Sequence, residues 1–339
     1  MRDGAADSGR YVPLAGAGER SRGMMLSRPV VVVVGPTASG KTDVAQELAL
    51  RLGGEVVSAD SMQIYSGMDI GTGKLPVSER RVPHWGLDIR EPGQAYSAAQ
   101  FQRYARERFA DIDARGGRCV LAGGTGFYVR AAIDDYDFAS GEQVGNPVRE
   151  KWNAFLAEHG APALWNELLA RDPDSAALIH PNNAKRVVRA LEMLELDGLS
   201  YADQHEGLAR IAQYVPALFF GLAVDAELLK RRIDARVDAM FASGLVDEVR
   251  GLMDRGFGEA LTAREAIGYK EVAAALAGRM SMTEASDAIK LATRRYAKRQ
   301  RSWWRGDPRV AWVDADDGDA ARIAGEIEAA LGERPQKGE

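Results

Sequence analysis

Pro29 is followed by five consecutive valines, Val30 to Val34, and then by Gly35-Pro36-Thr37-Ala38-Ser39-Gly40-Lys41-Thr42. A run this short and this β-branched suits a strand buried on both faces, as in the middle of a parallel sheet. The residues after it satisfy G-x-x-x-x-G-K-[ST]. Beyond them Val44, Ala45, Leu48, Ala49 and Leu52 recur at helical spacing until Gly53-Gly54 ends the segment. With strand, glycine loop and helix in that order, successive backbone N–H groups and the helix N-terminus form a cradle for a di- or triphosphate. Lys41 adds a point charge, and the Thr42 hydroxyl is a ligand for Mg²⁺.

The same alternation continues downstream. Glu55 to Asp60 reads as a second strand ending at Asp60, and Ser97 with Gln100 forms a capping box. The helix behind that box carries Phe101, Tyr104, Ala105, Phe109 and Ile112, and Cys119 to Ala122 is a further buried strand. Strands alternating with helices argue for a parallel α/β core. From residue 140 to 212 the signals are helical only, which indicates a helical insertion. Asn146-Pro147 opens one helix and His159-Gly160 stops it; Asn182 or Asn183 caps another, with Val187, Val188, Leu191 and Leu194 on its apolar face. Residues 217–224 return as a strand. Asp225 caps a helix running through Ile233, Val237, Met240 and Phe241 to Gly244, and Ser281 with Glu284 boxes a last long helix. Residues 1–28, rich in Gly, Ala, Ser and Arg, are expected to be a disordered leader, and the last ten or so a solvated tail.

Several classes are excluded. A single cysteine, Cys119, makes neither an intramolecular disulfide nor a Cys-rich zinc site and fits a reducing, cytoplasmic setting. No apolar run approaches the roughly 18 residues of a membrane helix. The net charge of -5 argues mildly against a polyanionic partner. The distribution argues back: Lys185 to Arg189 and the stretch Lys290, Arg294, Arg295, Lys298, Arg299, Arg301 and Arg305 are basic, while acids gather at Asp134 to Asp137 and Asp314 to Asp319. Tyr296, Trp303 and Trp304 interleave with the second basic stretch, a pattern suited to tracking phosphates. Helical spacing also turns Ile289, Tyr296 and Trp303 toward a core, and some of the arginines toward acids of the fold.

Asp60 is the acid placed at a strand end, in Ser58-Ala59-Asp60-Ser61-Met62-Gln63. It reads as a general base or Mg²⁺ partner, or equally as a turn acid. The strand at Cys119 ends in Gly123-Gly124-Thr125-Gly126 rather than in the magnesium-holding Asp usual in an NTPase. Arg232 and Arg236 share a helix face and read either as ligand-binding or as ion-paired with Asp234 or Asp238.

At these residues the sequence resembles the tRNA dimethylallyltransferase (isopentenyltransferase) family. The matching segments are GPTASGKT, 58 to 76, 83 to 101, 121 to 131, 180 to 192, 232 to 249, 266 to 271 and 293 to 305, in family order from Pro29 to about Asp314. The resemblance implies transfer of a dimethylallyl group from dimethylallyl diphosphate to the exocyclic amine of the adenosine just 3′ of the anticodon. It also implies that the glycine loop, Gly35 through Thr42, holds the donor's diphosphate with Mg²⁺ on Thr42. Asp60 becomes the general base, Thr37 and Arg236 act at the reaction centre, and Thr125 lies beside it. For the tRNA it marks Asp60, Ser61, Met62 and Gln63 near the target base, Thr125 and Arg149, then Lys185, Arg186, Val187, Val188 and Arg189, and Glu265, Ala266, Ile267, Gly268, Tyr269 and Lys270. The family's zinc finger, found in some members, has no counterpart here.

The expected architecture is therefore an α/β, P-loop NTPase-like parallel sheet flanked by helices, with an all-helical insertion. Its divisions are a leader at 1–28, the first part of the core at 29–139, a tRNA-contacting insertion at 140–212, the second part of the core with the C-terminal helices at 213–320, and a terminal segment at 321–339. The expected state is a monomer, with tRNA and dimethylallyl diphosphate as partners and no membrane. Two other readings share the glycine loop, a small-molecule or nucleotide kinase binding ATP and a nucleotide-gated tRNA-binding module without chemistry.

Overall fold

The computed structural model describes residues 23–136, 138, 146–203, 212–255, 257 and 263–332. Six strands form one sheet: β1 (Val30–Val34), β2 (Gly54–Ser58), β3 (His84–Trp85), β4 (Arg118–Gly123), β5 (Ala217–Ala223) and β6 (Val310–Asp314), in the spatial order β3-β2-β4-β1-β5-β6. Every pairing is parallel, so all carboxyl ends lie on one edge. The five valines of β1 are each 0% exposed between β4 and β5, as a central strand covered on both faces requires. β1 and β2 are not neighbours, because β4 lies between them.

The helices are α1 (Lys41–Leu52), α2 (Ala98–Ala114), α3 (Gly126–Ile133), α4 (Pro147–Arg171), α5 (Pro173–Leu178), α6 (Ala184–Asp197), α7 (Ala226–Ala242), α8 (Leu245–Met253), α9 (Tyr269–Leu276), α10 (Met282–Arg305) and α11 (Ala320–Gly332). Most expected caps are present. Ser97 and Ser281 each complete a capping box, and Asp225 accepts from the Glu227 and Leu228 amides. Asn146 caps α4 through the Val148 amide, whereas Asn183 stands at the cap position of α6 without a side-chain capping bond. α4 breaks at Gly160 (φ 79°, ψ 170°), as His159-Gly160 suggested, but it resumes with Pro162 in its next turn and runs on to Arg171.

α4, α5 and α6 build a helical lobe around Trp152, Leu164, Leu168, Val187 and Leu191. The chain leaves and re-enters the sheet domain at one place. There Asp134 pairs with Gln213 in an antiparallel bridge, the Asp135 amide donates to the Ala212 carbonyl, and the Tyr214 and Val215 amides both donate to the Ile133 carbonyl.

Three segments depart from expectation. Residues 23–28, placed in the leader, are tied to the core: the Met24 amide donates to the Tyr214 carbonyl, and Arg28 Nη2 donates to the Gly116 carbonyl; residues 1–22 lie outside the described residues. β6 and α11 extend the sheet domain, with Ile323, Ala324 and Ile327 of α11 buried in the same core as Val44, Leu48 and Ala49 of α1, so the terminal segment packs on the core through residue 332, and the tail expected after it lies outside the described residues. On α10 it is Trp304 that is buried (0% exposed), while Trp303 is 47% exposed, one position away from the expected register.

Candidate functional site

The carboxyl edge of the sheet gathers the loops that follow β1, β2 and β4. Gly40 takes φ 85° immediately ahead of α1, a left-handed conformation that an L side chain resists. The chain there turns from strand into helix at the head of the cleft. Thr37 to Asp43, Asp60, Gln63, Thr72, Gly73, Gly123, Gly124 and Arg236 line one cleft of about 330 Å³. The ligand crevice of an open α/β sheet lies at such an edge. The separation of β1 from β2 by β4 does not keep Asp60 away from the glycine loop, since all three strands deliver their ends to this edge.

Asp60 serves the local fold and faces the cleft. Its Oδ1 accepts from the Met62 amide at 2.8 Å and the Gln63 amide at 3.3 Å, closing the turn after β2. Its Oδ2 accepts no hydrogen bond from the described residues. The turn-acid reading is thus met by Oδ1 alone. Gln63 buttresses the same turn: it accepts from Ser58 Oγ and donates to the Thr72 and Gly73 carbonyls. Ser61 meets Thr125, whose Oγ1 accepts from the Ser61 amide at 3.2 Å.

Lys41 donates to the Pro36 carbonyl at 2.6 Å. Burial pushes its pKa down to about 7; Asp60 opposes that shift and Arg236 adds to it. Arg236, on α7, donates to the Thr72 carbonyl at 3.2 Å. Burial works against its charge too, offset by Asp60 and Asp43. The ion pairs weighed for it do not form, because Asp234 and Asp238 pair instead with Arg294 and Lys290 of α10. Arg232 points elsewhere, donating to the Ala315 and Asp316 carbonyls. A phosphate-bearing anion entering the cleft would raise the Lys41 pKa, so its binding takes up a proton where the free amine is largely neutral. Calorimetric binding enthalpies at about pH 8 in buffers of different ionisation enthalpy are expected to reveal that uptake, and at about pH 5.5, where Lys41 is already charged, to show much less of it.

The segments marked for tRNA are partly surface and partly scaffold. Lys185, Arg186, Glu265 and Lys270 are exposed. Arg149 and Arg189 converge on the buried Glu192 carboxylate, at 2.6 and 3.0 Å. Val187, Val188, Ala266, Gly268 and Tyr269 are buried, and Ile267 partly so. The two valines pack the lobe, so their side chains cannot be contacts and instead carry the exposed residues beside them. Tyr269 donates to Glu248 at 2.5 Å, and Glu248 in turn accepts from the Asp69, Ile70 and Gly71 amides.

Sequence reasoning passed over Gln300. It is only 6% exposed; its Oε1 accepts from the Thr37 amide at 2.8 Å and its Nε2 donates to the Gly124 carbonyl at 2.9 Å. Its signal was an uncharged polar residue inside a basic helix, on the face of Ala297 and Trp304.

The IPP transferase family model matches residues 63–307, and the isopentenyl transferase model matches residues 28–82. The chain belongs to the tRNA dimethylallyltransferase family. It is 47% identical over 293 residues to the tRNA dimethylallyltransferase of Geobacillus thermodenitrificans, covering 86% of this chain and 92% of that one. It is 48% identical over 297 residues to that of Kineococcus radiotolerans, with the same coverages. Among solved structures it is similar to the full-length tRNA isopentenylpyrophosphate transferase of Bacillus halodurans, at 40% identity and TM-score 0.65 over 90% of this chain and 97% of that one. It is also similar to a eukaryotic dimethylallyltransferase acting on tRNA, at 27% identity and TM-score 0.76 over 92% and 82%. As a member of this family it is a prenyltransferase, and the P-loop-like α/β fold is the family's.

Proposed function

We propose that this chain transfers the dimethylallyl group of dimethylallyl diphosphate to the exocyclic amine, N6, of the adenosine 3′-adjacent to the anticodon in tRNA, releasing diphosphate. The observation that carries this reading is the meeting of a phosphate cradle and a cleft-facing carboxylate with one uncommitted oxygen, in a chain of this family. The tRNA substrate itself comes from the names of the relatives.

An aryl amine is a weak nucleophile, so both partners need help. The glycine loop, Gly35 through Thr42, binds the diphosphate with Lys41 and with amides other than that of Thr37, which donates to Gln300. The amine nitrogen attacks the allylic carbon, the C–O bond breaks with its electron pair leaving on diphosphate, and Asp60 Oδ2 takes the amine proton. Arg236 and Thr37 hold the departing oxygens. Mg²⁺ suits Thr42, because a hard cation of this kind takes one or two protein oxygens and completes its shell from phosphate and water. Two features favour such a loaded cradle: Thr42 lines the cleft, and the buried Ser39 Oγ has no hydrogen-bond partner among the described residues. When bound, the ion neutralises diphosphate charge.

The target base must leave the anticodon stack to reach Asp60, and we place it against Ser61, Met62, Gln63 and Thr125. Lys185, Arg186, Arg149, Arg189, Lys270 and the exposed basic face of α10 then track the RNA backbone. The protein acts as a monomer in the cytoplasm; among the described residues no helix is long and apolar enough to cross a membrane.

The deciding experiment incubates the purified chain with unmodified tRNA, dimethylallyl diphosphate and Mg²⁺ and weighs the digested nucleosides. A gain of one dimethylallyl group on that adenosine is expected. Consumption of ATP with no such product favours a kinase, and tight tRNA binding with no product favours a module without chemistry. Affinity for tRNA is further expected to fall at least about tenfold between roughly 50 and 200 mM salt, despite the acidic net charge, as counterions compete for the phosphates. A salt-insensitive affinity would remove the phosphate contacts from the reading.

A further inference from the structure

α10 does two things at once. One face carries Arg295, Lys298, Arg299, Ser302 and Trp303, which border a shallow surface depression. The opposite face sends Gln300 inward, to the point where the loops after β1 and β4 come together.

The fit there is close and polar. Oε1 accepts the Thr37 amide inside the glycine loop, and Nε2 donates to the Gly124 carbonyl. A single amide thus satisfies a donor on one loop and an acceptor on the other. A Cβ on Gly124 would collide with Gln300 Nε2, so any larger residue there displaces the carboxamide from its place between the loops. Tyr296, one turn earlier, sits against both Thr125 and Gln300, extending the join toward the Ser61–Thr125 pair.

We propose that Gln300 is a positioning residue that fixes Thr37 and the loop after β4 relative to each other, so that the diphosphate cradle and the base-side wall of the cleft keep one spacing. This rests on the prenyltransferase reading above. Gln300 acts through Thr37 and Gly124, not on the reacting atoms. It also makes α10 the common support of the RNA-facing surface and the donor cradle. Misplacing reacting groups by about an ångström can cost on the order of 100-fold in rate.

The test compares Gln300→Ala and Gln300→Glu with the unsubstituted chain, with melting temperatures measured alongside. Gln300→Ala is expected to lower kcat about tenfold or more, with KM for tRNA changed less than about threefold, because the RNA-facing side chains are untouched. Gln300→Glu keeps an acceptor for the Thr37 amide but, when ionised, has no donor for the Gly124 carbonyl; protonation restores one. The kcat of Gln300→Glu relative to wild type is therefore expected to rise as pH falls from about 8 to about 6, a signature that loss of packing would not give. If Gln300→Ala fails to fold, that pH-dependent ratio alone carries the test. With transfer by the wild-type chain present, an unchanged kcat in Gln300→Ala or a pH-independent Gln300→Glu ratio overturns the inference and leaves the function standing. Absence of transfer by the wild-type chain overturns both.

Discussion

Asp60→Asn lowers turnover by about 10²–10⁴-fold, the usual worth of a general base, while the dissociation constant for dimethylallyl diphosphate changes by less than about tenfold. Asparagine is the informative replacement. Oδ1 of Asp60 closes the turn onto the Met62 and Gln63 amides, and an asparagine oxygen can accept the same two bonds, so the variant removes the base and keeps the turn. Asp60→Ala removes both, and its additional loss, read as a lowered melting temperature, measures the turn alone. Single-turnover rates with the donor prebound separate the chemical step from binding. Turnover of Asp60→Asn within tenfold of wild type would take the proton away from Asp60. The substitution also withdraws the charge that supports Lys41 protonation, so proton uptake on donor binding shifts to lower pH in the same variant.

The second large effect is expected at Arg236. Arg236→Ala lowers kcat by about 10²–10³-fold, because a preorganised donor aimed at charge that grows in the transition state is worth most in a site sheltered from water. Arg236→Lys recovers only part of this, since an ammonium lacks the planar fork that spans two phosphate oxygens. The neighbouring Arg232 is the control. It sits one helical turn away on α7 but binds the carbonyls of the 315–316 loop, so Arg232→Ala leaves kcat within a few fold of wild type. Equal losses at both positions would mean that the helix, and not the Arg236 side chain, is what the reaction needs.

Local chemistry was legible in the sequence wherever one short segment decides the outcome. The β1 valines, the glycine loop, the Ser97 and Ser281 boxes and the Asp225 cap all depend on neighbours within a few residues, and each forms as read. What stayed hidden depends on partners distant in sequence. The two residues of β3 are too short for a period to show, and β6 declares itself only by pairing with β5. Trp303 and Trp304 are adjacent, and it is Trp304 that turns inward, onto Phe219 across the core. Arg149 and Arg189, both marked for tRNA by the resemblance, show their shared partner Glu192 only once the lobe brings them together. Asp134 read as part of an acidic cluster; it is fully buried and bridges Arg130 and Arg309. The sequence left Asp60 open between turn and chemistry because it cannot show that Oδ1 alone closes the turn and leaves Oδ2 without a hydrogen bond from the described residues.

The bridge from Asp134 to Gln213 has a kinetic meaning. The chain between its two ends, on the order of 80 residues, is a single closed loop as far as the sheet is concerned, and the entropic cost of closing a loop rises only slowly with its length. The Ile133 carbonyl, held by the Tyr214 and Val215 amides of the segment that leads into β5, is the clasp. With that clasp made, the segment entering β5 is held at the end of α3 by contacts that involve none of the lobe's helices. Nucleation of the sheet and consolidation of the lobe can therefore be separate events, and trimming the lobe to a short turn at this clasp is a route to a sheet domain that folds without it.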